Sequence, residues 1–204
     1  GQKVVLVGPN GSGKSTLLRI AMGQVSQADG SVLWAERAKP GYYEQHQDEA
    51  LDPELTVLQE VQGASEGATE ERVRTVLGEF MFRGDDVFKQ VAVLSGGERS
   101  RVALAKFLIQ QTNVLLLDEP TNHLDKATRA SLVNALDKYD GTIICATHDK
   151  DILDTIATHV YEMQGGACVN TRIVESPLPE KEQPKQRKEQ PKQAKGKAKG
   201  KGKK

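Results

Sequence analysis

The chain has 204 residues, 37% of them hydrophobic, enough for one well-buried domain and not comfortably for two. Its 28 basic and 28 acidic residues cancel formally, yet Glu180–Lys204 carries 11 Lys or Arg against 3 acids, so an acidic body of net −8 precedes a basic tail of +8. No apolar run approaches the ~18–20 residues of a membrane-spanning helix. Cys145 and Cys168 lie in apolar, strand-like stretches without metal-ligand spacing and read as reduced thiols of a cytosolic protein.

Lys3–Val7 reads as a strand, followed by a Gly-rich turn and a helix from about Lys14 to Met22. Because the chain starts with Gly1 and is at once in a strand, it reads as cut from something longer. Ser31–Ala35 and Gly41–Glu44 are short strand candidates. From Asp48 to Val93 the texture turns acidic, polar and helix-forming, and Val73, Val76, Leu77 and Phe80 fall at i, i+3, i+4 and i+7 on one helix face. Together with a helix from about Gly97 to Gln110, this predicts a helical lobe over about 48–110 inserted in an α/β core.

The run Val114–Leu117 predicts a buried strand that ends in two adjacent acids, Asp118 and Glu119. An amphipathic helix carrying Leu132, Ala135, Leu136 and Tyr139 follows, then a strand at Thr142–Ala146. Val160–Met163 and Cys168–Ile173 predict a hairpin around Gly165-Gly166. From Ser176 onward Pro, Lys, Gln and Gly dominate without apolar periodicity, which predicts a disordered tail over 176–204. The domain itself is expected over 1–175.

Three motifs carry the chemistry. Gly8-Pro-Asn-Gly-Ser-Gly-Lys-Ser-Thr16 matches the G-x-x-x-x-G-K-[ST] phosphate loop. The backbone N–H groups of Gly8, Asn10, Gly11, Ser12 and Gly13 can turn inward around phosphate oxygens, and the helix that follows presents its positive end. Lys14 then reaches the β- and γ-phosphates, and the Ser15 hydroxyl, next to Thr16, binds Mg²⁺. Asp118 supplies the carboxylate that holds Mg²⁺, and Glu119 can polarise an attacking water. Leu94-Ser-Gly-Gly-Glu98 offers a second backbone nest, where Ser95 can cap a helix and Gly96 and Gly97 admit an anion. Taken alone, this last run is only a helix entry, and a lone His148 is usually a capping or core histidine.

The order phosphate loop, Gln45, Leu-Ser-Gly-Gly-Glu98, Asp118-Glu-Pro-Thr121, His148 resembles the nucleotide-binding domain of an ATP-binding-cassette ATPase over about residues 1–175. The resemblance implies an α/β phosphate-loop NTPase core with an inserted helical lobe and a small antiparallel β portion, lacking its N-terminal part. It implies ATP and Mg²⁺ as ligands. Gln45 matches the glutamine that senses Mg²⁺ and the γ-phosphate, and His148 the switch histidine. Asp125 matches the aspartate that couples two sites, and Ser95, Gly96, Gly97 and Glu98 would contact ATP held by an opposite cassette. A second cassette, expected in the same full-length chain, is therefore an implied partner, and this piece by itself is expected to hydrolyse ATP poorly. The aromatic residue that stacks on adenine in the family has no counterpart in the sequence, so adenine preference rests on the likeness.

Within the family, Pro120-Thr-Asn-His-Leu-Asp125, Glu98 and Arg101-Val-Ala-Leu-Ala-Lys106 resemble the ABC-F class of translation factors, and Phe82–Phe88 resembles its second cassette. That likeness implies a cytoplasmic protein acting on the ribosome without a membrane partner. The Lys-rich tail is a possible RNA contact through counterion release. The alternatives are the ATPase subunit of an ABC transporter and a cassette ATPase of chromosome maintenance or repair.

Overall fold

In the computed structural model, which describes residues 1–44, 50–122 and 124–174, the strand expected at Lys3–Val7 (β1) forms inside a six-stranded sheet. After it come helix α1 (Lys14–Ala21) and strand β2 (Pro40–Tyr43). Helices α2 (Val57–Gln62), α3 (Glu70–Glu79) and α4 (Gly96–Leu108) follow, with two short 3₁₀ turns at Gly84–Phe88 and Val91–Val93. The chain then alternates: β3 (Val114–Asp118), α5 (Lys126–Asp137), β4 (Thr142–Ala146), α6 (Lys150–Ile156), β5 (His159–Gln164) and β6 (Ala167–Ile173).

The strand order is β2-β3-β4-β1-β5-β6. Neighbours pair in parallel except β5 with β6, so the antiparallel portion is the hairpin's outer strand on the common sheet. All five residues of β3 are buried, as expected of an interior parallel strand covered on both faces. Alternate residues serve opposite layers. Val5, Leu115, Leu117, Ile143 and Cys145 join one cluster with Leu104, Leu132 and Leu136, whereas Leu6, Val114, Leu116 and Ala146 pack with Leu18 of α1.

The segment between β2 and β3 is helical among its described residues, and its predicted apolar face is buried: Val73, Leu77 and Phe80 are fully enclosed and Val76 nearly so. Helix α3 ends at Glu79, and two residues on Met81, with φ of 68°, turns the chain off the helical path. The helices α2 and α6 have six and seven residues, too short for a hydrophobic period to declare itself.

One expectation is corrected. Ser31–Ala35 forms no strand; Val32, Leu33 and Trp34 are exposed, and the Trp34 Nε1–H donates to the Ala21 carbonyl at 3.1 Å. A β-type composition makes a strand only where a neighbour supplies hydrogen bonds, and the described residues place none beside it. The other candidate, Gly41–Glu44, is seen as Pro40–Tyr43, paired with β3. The expected tail at 176–204 lies outside the described residues.

The sheet topology decides where the motifs meet. Strands β1, β4 and β3 are parallel neighbours, so their carboxyl ends open on one edge. The phosphate loop leaves β1, Asp118 ends β3, and Thr147-His148 follows β4 there, where open α/β sheets hold their ligands.

Candidate functional site

The phosphate loop is shaped by backbone conformations that suit glycine: φ is 145° at Gly8, 78° at Gly11 and 97° at Gly13. A Cβ at Gly8 would lie 2.1 Å from the Met163 carbonyl oxygen, so this position admits no side chain. Gly13 is also the residue that opens α1, pointing the helix's unpaired N–H groups into the loop. Lys14 is buried; its ammonium donates to the carbonyls of Gly8 (2.7 Å) and Pro9 (3.2 Å) and holds the loop closed over itself.

Asp118 is the last residue of β3, and its Oδ1 accepts a hydrogen bond from Ser15 Oγ at 2.9 Å. Glu119 follows with φ of 47°, a left-handed conformation that costs an ordinary side chain about 1 kcal/mol or more. Two constraints hold it there. Its N–H donates to the Ala146 carbonyl at 2.8 Å, and Pro120 disfavours the right-handed helical alternative. The bend turns Glu119 into the cleft, where Oε1 stands 3.5 Å from His148 Nε2. The same nitrogen is 3.4 Å from Lys14 Nζ. Asp149, directly after His148, caps α6 and so fixes where the imidazole emerges.

Asn10 through Thr16, Asp118, Glu119, Asn122 and His148 line one cleft of about 570 Å³. The structure thus brings the predicted phosphate, metal and water residues together, except Gly8, which shapes the loop without lining the cleft, and Gln45, which lies outside the described residues. It places Ser95, Gly96, Gly97, Glu98 and Asp125 elsewhere, outside that lining. Ser95 caps α4 reciprocally with Glu98: Ser95 Oγ accepts from the Glu98 N–H, and Glu98 Oε2 accepts from the Ser95 N–H at 2.9 Å. These bonds favour the charged form and hold the Glu98 carboxyl below its ordinary range. Gly96 and Gly97 are exposed. Asp125 caps α5 by accepting from Ala127 N–H, Thr128 N–H and the Thr128 hydroxyl, which lowers its pKa in the same way. Arg101 Nη1 of α4 lies 3.6 Å from its second oxygen. Helix α4 and the Asp125 loop are therefore adjacent, outside the cleft lining.

Three site features escape a motif reading. Asn122 lines the cleft within a run whose acids draw the attention. Tyr42 of β2 donates to Asp118 Oδ2 at 3.4 Å, a contact created by strand pairing and invisible in sequence. The hairpin turn at Gly166 backs the phosphate loop, its N–H donating to the Ser12 carbonyl at 3.1 Å.

The cleft suits a nucleotide phosphate with a hard divalent cation. Ser12 Oγ is buried in the loop without a hydrogen-bond partner, a donor that a phosphate oxygen satisfies. Ser15 and Asp118 are hard oxygen donors, and among the described residues no cluster of three or more His, Cys, Asp or Glu forms an all-protein cage. Mg²⁺ is typically held in this way, by one or two protein oxygens, substrate phosphates and water.

Residues 1–122 match a protein-family model described as ABC transporter. The chain is 44% identical over 168 residues to the energy-dependent translational throttle protein EttA of Escherichia coli O6:H1, a match covering 80% of this chain and 30% of that protein. It is 40% identical over 167 residues to ABC transporter F family member 5 of Arabidopsis thaliana, covering 81% and 24%. The chain thus spans between a quarter and a third of the length of these curated relatives. Among solved structures it resembles the dimeric, post-hydrolysis ATP-binding cassette MJ0796 bound to ADP and Pi, with TM-score 0.67, 26% identity and 85% and 86% of the two chains covered.

Proposed function

The chain belongs to the ATP-binding-cassette family, and we propose that its cleft binds ATP with Mg²⁺ and hydrolyses the γ-phosphate. The observation that carries this is the meeting of Lys14, Ser15, Asp118, Glu119 and His148 in one cleft from three parallel strand ends. Lys14 and the loop N–H groups bind the β- and γ-phosphates, with Gly8, Asn10, Gly11, Ser12, Gly13 and Thr16 shaping the cradle. Ser15 and Asp118 would hold Mg²⁺, joined by Gln45. When bound, Mg²⁺ neutralises charge on the phosphate oxygens. Glu119 orients and polarises the attacking water, and His148, beside Glu119, senses the γ-phosphate.

Ser95, Gly96, Gly97, Glu98 and Asp125 act toward a second cassette. Their absence from the cleft lining and the exposure of the two glycines support this, because an exposed glycine pair at a helix start leaves room for an anion brought by a partner. The dimeric state of the MJ0796 cassette supports it as well. Domain closure on ATP and opening after hydrolysis is the mechanical output, from a domain over 1–175 with its helical lobe at about 48–110.

We assign the output to translation, in the cytoplasm. Thr121–Asp125 matches the ABC-F pattern, and relatives include a translational throttle protein and an F family member. Among the described residues no helix is long and apolar enough to cross a membrane. The Lys-rich tail over 176–204 supplies a sequence-independent RNA contact. Co-sedimentation of the full-length protein with ribosomes in ATP tests this assignment. Fractionation with membranes instead would favour the transporter subunit.

A further inference from the structure

Both oxygens of Asp118 are engaged by the chain itself. Oδ1 accepts from Ser15 Oγ at 2.9 Å and Oδ2 from the Tyr42 hydroxyl at 3.4 Å. Strand register explains the second contact. Tyr42 is paired with Leu116 across parallel β2 and β3, so the two share a face, and Asp118, two residues on, shares it too. That face is the one α1 covers, where Leu18, Leu116 and Tyr42 pack together. Helix α1 presents Ser15 and Arg19 four residues apart on one side. Arg19 donates to Glu44 Oε1 at 2.7 Å, and its positive charge acts on the neighbouring Tyr42 phenol.

The direction of these bonds follows from the groups. An ionised carboxylate only accepts, so the single O–H of the phenol is the donor to Asp118. We propose that Tyr42 is a positioning residue for Asp118: its hydroxyl restrains Oδ2 and so keeps Oδ1 turned toward Ser15 as a prepared oxygen pair for Mg²⁺. The inference rests on reading the cleft as an Mg²⁺-nucleotide site. Ser15 makes α1 one arm of this clamp and Tyr42 makes β2 the other, with the end of β3 between them.

The test is Tyr42→Phe in the full chain, which keeps the packed ring and removes only the hydroxyl. A fluorescent ATP analogue is titrated first in EDTA and then, at saturation, with Mg²⁺; Mn²⁺ binding is followed in parallel by electron paramagnetic resonance. The expected result is unchanged analogue affinity in EDTA and a metal affinity weaker by roughly 3- to 10-fold, at or below the low end of the usual effect of an outer partner because 3.4 Å is a long hydrogen bond. Identical metal dependence in wild type and Tyr42→Phe overturns the proposal. Equal losses with and without metal also overturn it, marking Tyr42 as structural. Failure of the wild-type chain to bind the analogue at all overturns the nucleotide-site reading instead.

Discussion

His148 Nε2 stands 3.5 Å from Glu119 Oε1 and 3.4 Å from Lys14 Nζ, so a single ring nitrogen faces a carboxylate and an ammonium at once. It can accept from Lys14 only with a lone pair there, and donate to Glu119 only with a proton there. The two contacts exclude each other, and a phosphate drawn to Lys14 displaces the first. That geometry places Glu119 within reach of any group bound at the loop and motivates the first expectation.

Glu119→Gln preserves size and hydrogen-bonding shape but removes the carboxylate. Binding of ATP should persist, while phosphate release in a single turnover falls by roughly 10²- to 10³-fold. An unchanged rate sinks the assignment of Glu119 as the water-polarising residue.

Asp125 has a structural duty that must be separated from any interface role. Asp125→Ala loses the three bonds that cap α5 and should destabilise the chain by about 1 kcal/mol, lowering Tm by about 2–4 °C. Asp125→Asn keeps a good cap and should melt near wild type. If Asp125 couples cassettes, Asn at this position lowers ATP turnover of the full-length protein while Tm holds. Normal turnover with normal Tm leaves only the capping role.

Glu98 should contribute to acid sensitivity. Its carboxyl is held below the ordinary value by the bonds from Ser95, so its contribution is complete above the unfolded value of about 4.5 and disappears as pH falls through the lower, folded one. Glu98→Gln retains the cap without the charge. At pH 7 it should melt roughly 1–3 °C below wild type, a gap that closes under acid. A series of melting curves from pH 7 downward through the ordinary carboxylate value of about 4.5 and below checks the sign, the gap narrowing as pH falls.

Glu60 of α2 is 4% exposed and pairs with Lys106 of α4, and its second oxygen accepts from the Asp52 N–H. Lys106→Met strands a buried carboxylate and should cost about 2 kcal/mol or more in chemical denaturation. Adding Glu60→Gln should restore at least half of that. Strict additivity of the two losses would mean that the pair is not coupled.

Much of the fold and cleft is legible in the sequence because the signals are local. The phosphate loop needs glycines at positive φ followed by a helix start, and Gly8–Thr16 declares both. The run Val114–Asp118 is uniformly apolar because β3 is covered on both faces, so its period vanishes and its composition speaks instead. The apolar face at Val73, Val76, Leu77 and Phe80 needs only helical spacing. Ser31–Ala35 shows the limit: a β-type composition without an adjacent strand stays irregular.

What the chain determines by itself, then, is the set of groups: a phosphate cradle, two acids at a strand end, a histidine, and caps at Ser95 and Asp125. Only the tertiary structure decides which of them meet. Parallel pairing of β1, β4 and β3 brings Lys14, His148 and Asp118 to one edge, and the left-handed turn at Glu119 aims it inward. The register of β2 on β3 adds Tyr42. The same packing sets Ser95 and Asp125 apart. The physical reason is that side-chain chemistry is written residue by residue, whereas contact depends on strand order and register, which arise from hydrogen bonding and burial across the whole sheet.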